Sequence, residues 1–396
     1  MSAKNTHSLA LIEDILTRGV EEVVDGKQLQ ELLASGKKLR IKLGIDPTSP
    51  SIHLGRAVVL WKLRAFQELG HTVVFIVGDF TGIIGDTSDK DSERPMLSEE
   101  EIKINLKTYF SQASKIIDKS KSEMHYNSKW LKKLGFAEIG FMANAFGLHE
   151  FEARENISLR MKAGKRVSLK ELLYPLMQGY DSVAVKSDVE LGGTDQRFNL
   201  LAGRTIQKLY NQKPQHILTT QLLEGTDGRK MSSSWGNVIN ITDEPENMFG
   251  KVMSVPDNFV EKYFLFATRA SQLEIQEIFK SGHGPRELKL LLAERVTSLY
   301  HGEKKAIEAK ESFISQFSKG ELPKDIAVKN LPKGVYLLVD VLVLTGLSAS
   351  KSEARRLIGQ NGVKVNRQIP NLNTLTLDGK TEFIIQVGKR NFLKIK

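Results

Sequence analysis

Residues 41–79 carry the pattern that most limits how this chain can fold. Ile41–Asp46 is a short apolar stretch closed by proline-rich breakers, and Leu54–Leu69 then repeats apolar residues at helical spacing. Gly70 ends that helix, and His71–Asp79 has the β-branched composition of a fully buried strand. This succession favours a βαβ unit with parallel strands. Because strand and helix patterns alternate through Thr242, we predict an α/β fold with a Rossmann-type, doubly wound parallel sheet.

The pattern of elements changes further along the chain, and these changes define the predicted domains. Residues 1–243 carry the alternating strands and helices. From 244 to 320 the periodicity is helical, which indicates a separate α-helical domain. Residues 321–333 follow Gly320 and combine proline with lysine, as linkers do. The remainder, 334–396, begins with an apolar helix and ends in short strands, so we predict a small α+β domain there.

The composition restricts the chemistry open to the chain. It contains no cysteine, which excludes disulfides, a thiolate nucleophile and cysteine-ligated zinc. No apolar run approaches the roughly 20 residues of a transmembrane helix, and the polar segment Met1–Ala10 lacks the order of a secretory signal, so we expect a cytoplasmic protein. The formal charge of +10 suits a polyanionic partner, although solubility explains it equally well.

A polar loop joins the first predicted strand to its helix. Thr48 lies in this loop, and His53–Arg56 (His-Leu-Gly-Arg) opens the helix. A helix N-terminus offers unpaired N–H groups and partial positive charge, so Thr48 and His53 could hold a triphosphate there, while Gly55 leaves room for an adenine or a ribose. A histidine at a helix start is otherwise an ordinary cap, and this loop alone leaves both readings open.

A second polar loop lies far downstream. Lys230 and Met231 are followed by three serines, Ser232–Ser234, and are preceded by the glycine-flanked segment Gly225–Arg229. A lysine and hydroxyl groups on a mobile loop can close on a pyrophosphate, whose oxygens become more negative as its bond breaks. A solvated surface loop would have the same composition, so this loop alone does not identify a site.

Taken together, the two loops resemble the two signatures of the class I aminoacyl-tRNA synthetases, His-x-Gly-x after the first strand and Lys-Met-Ser-Ser-Ser downstream. Three further segments are similar to motifs of the tyrosyl-tRNA synthetases within that class: Thr81–Asp86, Tyr174–Asp181 and Leu191–Gln196. The resemblance runs from about Leu39 to Asp243 and resumes near the C-terminus. The chain is therefore expected to have the fold and the activity of that family.

The resemblance implies a reaction and the residues that carry it. Tyrosine would react with ATP to give tyrosyl-adenylate and pyrophosphate, and would then pass to the 3' end of its tRNA. The predicted tyrosine-binding residues are Lys42, Gly44, Asp46, Asp86, Tyr174, Gln178, Asp181 and Gln196. Asp86, Tyr174 and Gln178 would hold the ammonium, and Asp181 would accept the phenolic hydroxyl. The predicted ATP-binding residues are Thr48, His53, Gly55, Arg56, Gly193, Asp195, Lys230, Met231, Ser232, Ser233 and Ser234. The catalytic set would be Lys230, Thr48 and His53.

Three places depart from the family pattern. Arg56 replaces the second histidine of the first signature, and an arginine can donate to the same oxygens. Lys42 stands where many members have a tyrosine that touches the substrate phenol, so phenol recognition would rest more heavily on Asp181. The segment after Asp86 is Thr87–Lys90 (Thr-Ser-Asp-Lys), where the family usually has Pro-Ser/Thr-Gly-Lys.

The C-terminal domain resembles a small RNA-binding module that is shared with a ribosomal protein and some pseudouridine synthases. That resemblance rests on Leu347–Ile358 and Gly362–Asn366. The stretch Gly334–Lys396 holds ten Lys or Arg against four Asp or Glu, so more than half of the excess positive charge lies in this domain. The predicted tRNA-binding residues are Lys351, Arg355, Arg356, Lys364 and Arg367.

The family resemblance also implies Mg²⁺ that arrives with ATP, no metal held by the protein itself, and a homodimer. The dimer would form through an insertion at about residues 109–165, whose apolar side chains could equally be core. A tryptophanyl-tRNA synthetase shares both signatures, but the tyrosine motifs and the RNA-binding C-terminus argue against it. A non-catalytic RNA-binding relative is kept open by Arg56 and opposed by the intact Lys230–Ser234 loop.

Overall fold

The computed structural model describes residues 3–47, 49–87, 96–318, 326–370, 374–377, 382–388 and 391–395. By its internal contacts the chain divides into two compact units, Met1–Lys310 and Glu311–Lys396. The helical segment that starts at residue 244 belongs, as far as Lys310, to the same unit as the central sheet. The domain boundaries drawn from the sequence within that unit stay predictions.

Six strands form one sheet in the first unit: β1 (Val20–Val24), β2 (Arg40–Ile45), β3 (Thr72–Val77), β4 (Ser122–Tyr126), β5 (Val189–Gly193) and β6 (His216–Thr220). Their order is β1-β6-β5-β2-β3-β4. All neighbours are parallel except β1 and β6, which are antiparallel. The chain runs outward from β2 to β4 and then returns to β5 beside β2. The sheet therefore has a switch point between β2 and β5, and ligands bind at such points, outside the carboxyl ends of the strands.

Helices alternate with the strands of this sheet and continue after it, as expected for an α/β fold. In chain order they are α1 (Ala3–Thr17), α2 (Gly26–Ala34), α3 (Leu54–Glu68), α4 (Thr81–Ile84), α5 (Glu99–Ala113), α6 (Ser128–Leu131), α7 (Phe136–Ala143), α8 (Leu148–Glu152), α9 (Glu155–Lys162), α10 (Leu169–Val185), α11 (Arg197–Leu209), α12 (Pro245–Met253), α13 (Val260–Ala267), α14 (Gln272–Lys280), α15 (Pro285–His301) and α16 (Glu303–Ser318). No strand occurs among the described residues from 244 to 318, which confirms the helical periodicity. None of the helices in the described part of the chain is long and apolar enough to cross a membrane.

The βαβ unit predicted from residues 41–79 is confirmed as β2, α3 and β3. The apolar repeat of α3 faces inward, and the last five residues of β3 are buried. The composition of Val183–Leu191 predicts a strand, and this prediction is wrong at its start, because Val183–Val185 completes α10 and β5 begins only at Val189. Val183 and Val185 are buried against core residues from other elements, so tertiary packing overrides their β-branched preference.

The second unit contains β7 (Ala327–Lys329), β8 (Gly334–Leu337), α17 (Leu338–Leu344), α18 (Lys351–Gly359), β9 (Val363–Val365), β10 (Thr374–Leu377), β11 (Phe383–Val387) and β12 (Asn391–Ile395). Four of the strands form a sheet in the order β7-β12-β11-β9, and β8 pairs with β10. β7 lies within the segment 321–333 that has the composition of a linker. One buried apolar cluster holds the unit together, formed by Leu338, Val341, Leu342, Ala354, Val363, Ile385, Val387, Leu393 and Ile395.

Candidate active site

A cavity of about 390 Å³ opens at the carboxyl ends of the parallel strands, at the switch point between β2 and β5. It lies within the first unit. The predicted residues that line it are Gly44, Asp46, His53, Gly55, Arg56, Asp86, Tyr174, Gln178, Asp181, Gly193, Asp195, Gln196, Lys230, Met231, Ser232, Ser233 and Ser234. Thr48 lies outside the described residues. Lys42 is the one predicted residue of this unit that the structure describes but that does not line the cavity.

His53 is placed by the start of α3. It is the N-cap residue, and its Nδ1 accepts from the backbone N–H of Arg56 at 3.4 Å. Burial, together with the nearby positive charges of Arg56 and Lys230, lowers the pKa of His53 to about 3. The imidazole is therefore neutral near pH 7. With Nδ1 accepting, its proton lies on Nε2, so His53 can donate one hydrogen bond but brings no charge.

Arg56 lies one turn into α3 and lines the cavity. Its guanidinium donates to the hydroxyl of Tyr109 on α5, which is fully buried. The same contact anchors α5 beside the start of α3. Arg56 therefore lines the cavity with part of its hydrogen-bonding capacity used for structure, and its contact with ATP stays a prediction.

The Lys230–Ser234 loop borders the cavity on the side of Asp195. The ammonium of Lys230 lies 3.0 Å from a carboxylate oxygen of Asp195, and Met231 is buried beside Gly55, whose N–H points at the Met231 sulfur. Ser233 and Ser234 are exposed. One end of the loop is thus fixed by packing while its last two serines face solvent, which suits a segment that must close on a ligand.

Asn237, which belongs to none of the predicted motifs, holds the loop in place by hydrogen bonds. It is buried, and its Oδ1 accepts from the backbone N–H of Ser232 at 2.8 Å. Its Nδ2 donates to Asp227 at 2.7 Å and to the backbone carbonyl of Lys230 at 3.0 Å. The only sequence signal is its place just after the serine run, between a glycine and a valine.

A set of hydrogen-bonded side chains at the end of β2 and on α10 forms the wall of the cavity opposite the Lys230–Ser234 loop. The hydroxyl of Tyr174 donates to Asp46 at 2.8 Å, and Thr81 donates to the other oxygen of Asp46 at 2.7 Å. Gly78 is required beside them, because a Cβ there would lie 2.0 Å from the Asp46 oxygen. Burial raises the pKa of Tyr174, so its phenol keeps its proton and remains a donor.

Asp181 lies deeper in the same wall and is almost completely buried. It accepts from the indole N–H of Trp130 at 2.7 Å and from Asn127 at 3.2 Å. Burial raises its pKa to about 7, against the opposite influence of the Lys42 charge and of these two donors. A carboxyl held in this way can accept one more hydrogen bond from a phenol in the cavity. Neither Trp130 nor Asn127 was predicted, although Asn127 directly follows β4, where a parallel sheet presents its ligands.

Asp86 completes the polar lining. It accepts from Gln196 at 2.7 Å, and the oxygen of Gln196 accepts in turn from Asn199 at 3.0 Å. The residue that follows, Thr87, is buried and donates to Glu171 at 2.6 Å. Residues 88–95 lie outside the described residues. The rest of this departure from the family pattern, from Ser88 to Lys90, is therefore known only from the sequence.

The expectation that Lys42 meets the substrate is not supported by its position. Its side chain is fully buried, and its ammonium lies 2.9 Å from Glu190, 2.9 Å from the backbone carbonyl of Gln178 and 2.7 Å from Ser182. These three partners use all three donor protons of the ammonium. Lys42 therefore lies behind the wall of the cavity rather than in it.

The five predicted tRNA-binding residues all lie in the second unit and are all exposed. Lys351, Arg355 and Arg356 belong to α18, Lys364 to β9, and Arg367 to the turn that follows β9. Lys351 pairs with Asp340 at 2.7 Å. Exposed cations on neighbouring elements can contact phosphates, and their contact with RNA stays a prediction.

Comparison with known proteins agrees with this arrangement. Residues 34–318 match a family model described as tRNA synthetases class I (W and Y). The chain therefore belongs to the class I tRNA synthetases. It is 44% identical over 386 residues to the tyrosine–tRNA ligase of Thermotoga maritima, with 96% of both chains covered, and 46% identical over 397 residues to that of Carboxydothermus hydrogenoformans, covering 96% of this chain and 97% of the other. Within the class, its family is that of the tyrosine–tRNA ligases.

Solved structures support the same fold. The tyrosyl-tRNA synthetase of Archaeoglobus fulgidus, complexed with L-tyrosine, superposes with a TM-score of 0.60 over 77% of this chain and 99% of the other, at 24% identity. A C-terminally truncated mitochondrial tyrosyl-tRNA synthetase of Aspergillus nidulans gives a TM-score of 0.63 over 80% and 100%, at 20% identity. At these identities the likeness concerns the fold.

Proposed function

We propose that the chain activates L-tyrosine with ATP, releasing pyrophosphate, and transfers the tyrosine from the adenylate to the 3' end of its tRNA. One observation carries this proposal: both signature loops and the polar face of α10 line a single cavity. The proposal also rests on membership of the family.

In the first step an oxygen of the tyrosine carboxylate attacks the α-phosphorus of ATP, and the bond from that phosphorus to the pyrophosphate oxygen breaks. A carboxylate is already a nucleophile, so this step needs no general base. The protein contributes positioning and charge, which carry most of the catalysis in such displacements. Mg²⁺ bound to the phosphates of ATP would share the developing negative charge.

Lys230 and His53 have different roles in this proposal. Lys230 supplies a positive charge to the leaving pyrophosphate, and to do so it exchanges its contact with Asp195 for phosphate oxygens. Asp195 is then available to a ribose hydroxyl. His53 is neutral, so it orients a phosphate oxygen through its Nε2–H and adds no charge.

Tyrosine would lie against α10 with its phenol towards Asp181 and its ammonium towards Asp86, Tyr174 and Gln178. Asp181 offers a buried acceptor that already holds two donors. A buried acceptor left without a hydroxyl is unfavourable, and this is the physical basis for rejecting phenylalanine.

The exposed cations of α18 and β9 would bind the phosphates of the tRNA. Replacing Arg355 and Arg356 by alanine in the full chain should weaken tRNA binding and lower its salt dependence by about one unit of slope per lost contact. Tyrosine-dependent pyrophosphate exchange should stay unchanged. An unaltered salt slope would remove these residues from the RNA contact.

A homodimer through the segment 109–165 is part of the same proposal. Met142 is core, but Phe136 is 92% exposed, and further apolar side chains are exposed on the same helix and on α8 and α9: Phe141, Leu148, Leu159 and Met161. Exposed apolar surface of this kind marks an interaction site. Phe136→Glu should convert a dimer into a monomer, as measured by light scattering after size exclusion. A monomeric unaltered chain would contradict the proposal.

Pyrophosphate exchange with each of the twenty amino acids, followed by tRNA charging, tests the whole proposal. Tyrosine alone should support exchange. Exchange with tryptophan would favour the other branch of the family model, and exchange with no amino acid would favour a non-catalytic RNA-binding protein.

A further inference from the structure

A buried ion pair lies directly behind the tyrosine wall of the cavity. Lys42 on β2 and Glu190 on β5 are register partners in neighbouring parallel strands, and their charged groups are 2.9 Å apart with no exposed side-chain surface. Removing two charges from water is unfavourable, and such a pair is retained only where further hydrogen bonds complete it. The contacts of both partners therefore indicate what the pair does.

Both charges are fully engaged. Glu190 accepts from Lys42 and from Gln178 on one oxygen, the latter at 3.1 Å, and from Ser182 at 3.1 Å and Gln215 on the other. Gly203 on α11 leaves room for this group, because a Cβ there would lie 2.5 Å from Gln215 and 3.2 Å from Glu190. Strands β2 and β5 and helices α10 and α11 thus all contribute to holding the Glu190 carboxylate in one place.

Gln178 is the single member of this group that lines the cavity. An ionised carboxylate accepts hydrogen bonds and cannot donate them, so Gln178 must turn its NH₂ towards Glu190. The amide oxygen of Gln178 is then turned away from Glu190. An oxygen is the end of an amide that can bind a cation, whereas the NH₂ end would repel one.

We propose that the Lys42–Glu190 pair is a positioning device that holds the Gln178 amide with its oxygen available to the ammonium of the substrate. This inference rests on the proposed role of Gln178 in binding the tyrosine ammonium. Lys42 neutralises Glu190 and, through the backbone carbonyl of Gln178 and the hydroxyl of Ser182, fixes α10 against the sheet. Lys42 thereby acts through another residue instead of touching the phenol.

The test compares two ligands that differ only in the ammonium. L-Tyrosine and 3-(4-hydroxyphenyl)propionate share the phenol and the carboxylate. The dissociation constant of the propionate divided by that of tyrosine therefore reports ammonium recognition alone. Glu190→Gln replaces a pure acceptor by a side chain that can present either end to Gln178. It should lower the ratio by about tenfold, because a hydrogen bond to a charged group is lost or reversed. The affinity for the propionate should change little.

Glu190→Gln leaves the Lys42 ammonium without its counter-charge, so the double variant Lys42→Met with Glu190→Gln is measured beside it. Lys62→Met is the matched control. Lys62 is also a buried lysine, but its ammonium donates to the carbonyls of Asp14 and Arg18, away from the cavity. The double variant should lose the preference for tyrosine, and the control should keep it.

Two outcomes would overturn the inference: an unchanged ratio in both Glu190 variants, or an equal loss of affinity for the two ligands, which would indicate general damage to the pocket. Gln178→Leu separates this from the proposed function. If Gln178→Leu keeps the ratio, the proposed role of Gln178 is wrong. If Gln178→Leu loses it while the Glu190 variants keep it, only the positioning role of the pair is wrong.

Discussion

The two sides of the cavity are built in different ways. The tyrosine side consists of buried groups, such as Asp181 and Tyr174, held by hydrogen bonds from three neighbouring elements. The ATP side consists of a helix start and the Lys230–Ser234 loop, whose last two serines are exposed and whose lysine forms an ion pair with Asp195. A site that must choose one amino acid gains from rigidity, while a site that follows phosphates through a displacement needs a segment that can move.

The comparison predicts its largest effect at Asp181. A site built to bond a hydroxyl rejects the analogue that lacks it by roughly 10⁴- to 10⁵-fold, and tyrosine–tRNA ligases are themselves the standard example of that figure. Asp181→Ala should remove most of the discrimination against phenylalanine, measured as the ratio of kcat/KM in pyrophosphate exchange. Retained discrimination would move phenol recognition to another group or to a bound water.

On the ATP side, Lys230→Ala should lower the kcat of pyrophosphate exchange by about 100-fold or more, because a preorganised charge at the leaving group is lost. The dissociation constant of tyrosine should stay within about twofold, since the ion pair of Lys230 is with Asp195, on the ATP side of the cavity. Lys289→Ala, at an ion pair on α15, serves as control. An unchanged exchange rate would exclude Lys230 from the mechanism.

The two sides should also differ in their response to pH. Because burial raises the pKa of Asp181 to about 7, its carboxyl gains a proton below that pH and accepts the phenol less well. Tyrosine affinity should rise up to about tenfold between pH 6 and pH 8, and Asp181→Asn should abolish the rise. The pKa of Asp181 is higher in the folded than in the unfolded chain, so its contribution to stability without ligand is lost as the pH rises towards 7. A pH-independent affinity would contradict this assignment.

The smallest effect concerns the anchoring of the loop. Asn237→Ala removes the acceptor of Ser232 and a donor to the Lys230 carbonyl, which leaves buried backbone groups unpaired at a cost of about 1–3 kcal/mol. The KM for ATP should rise severalfold while tyrosine binding stays unchanged. Equal weakening of both substrates would show that the two sides are not independent.

Short local motifs mark the ATP side more clearly than the tyrosine side. The predicted residues of both signature loops that the structure describes line the cavity. Each loop lies at a strand or helix end, and local sequence patterns mark such ends. Lys42 is predicted to bind tyrosine, but its side chain is buried behind the wall of the cavity. Its environment depends on Glu190, which lies on a strand far away in sequence and beside it in space.

Local periodicity and short motifs are enough to predict the alternation of strands and helices, the class of the protein and most of the residues around the cavity. Contacts between distant segments decide which charges are paired, which carboxyl is desolvated and which end of the Gln178 amide meets Glu190. Asn127, Trp130, Asn237 and the Lys42–Glu190 pair are examples. Burial and hydrogen-bond partners are properties of contacts between distant segments, and no local pattern encodes them.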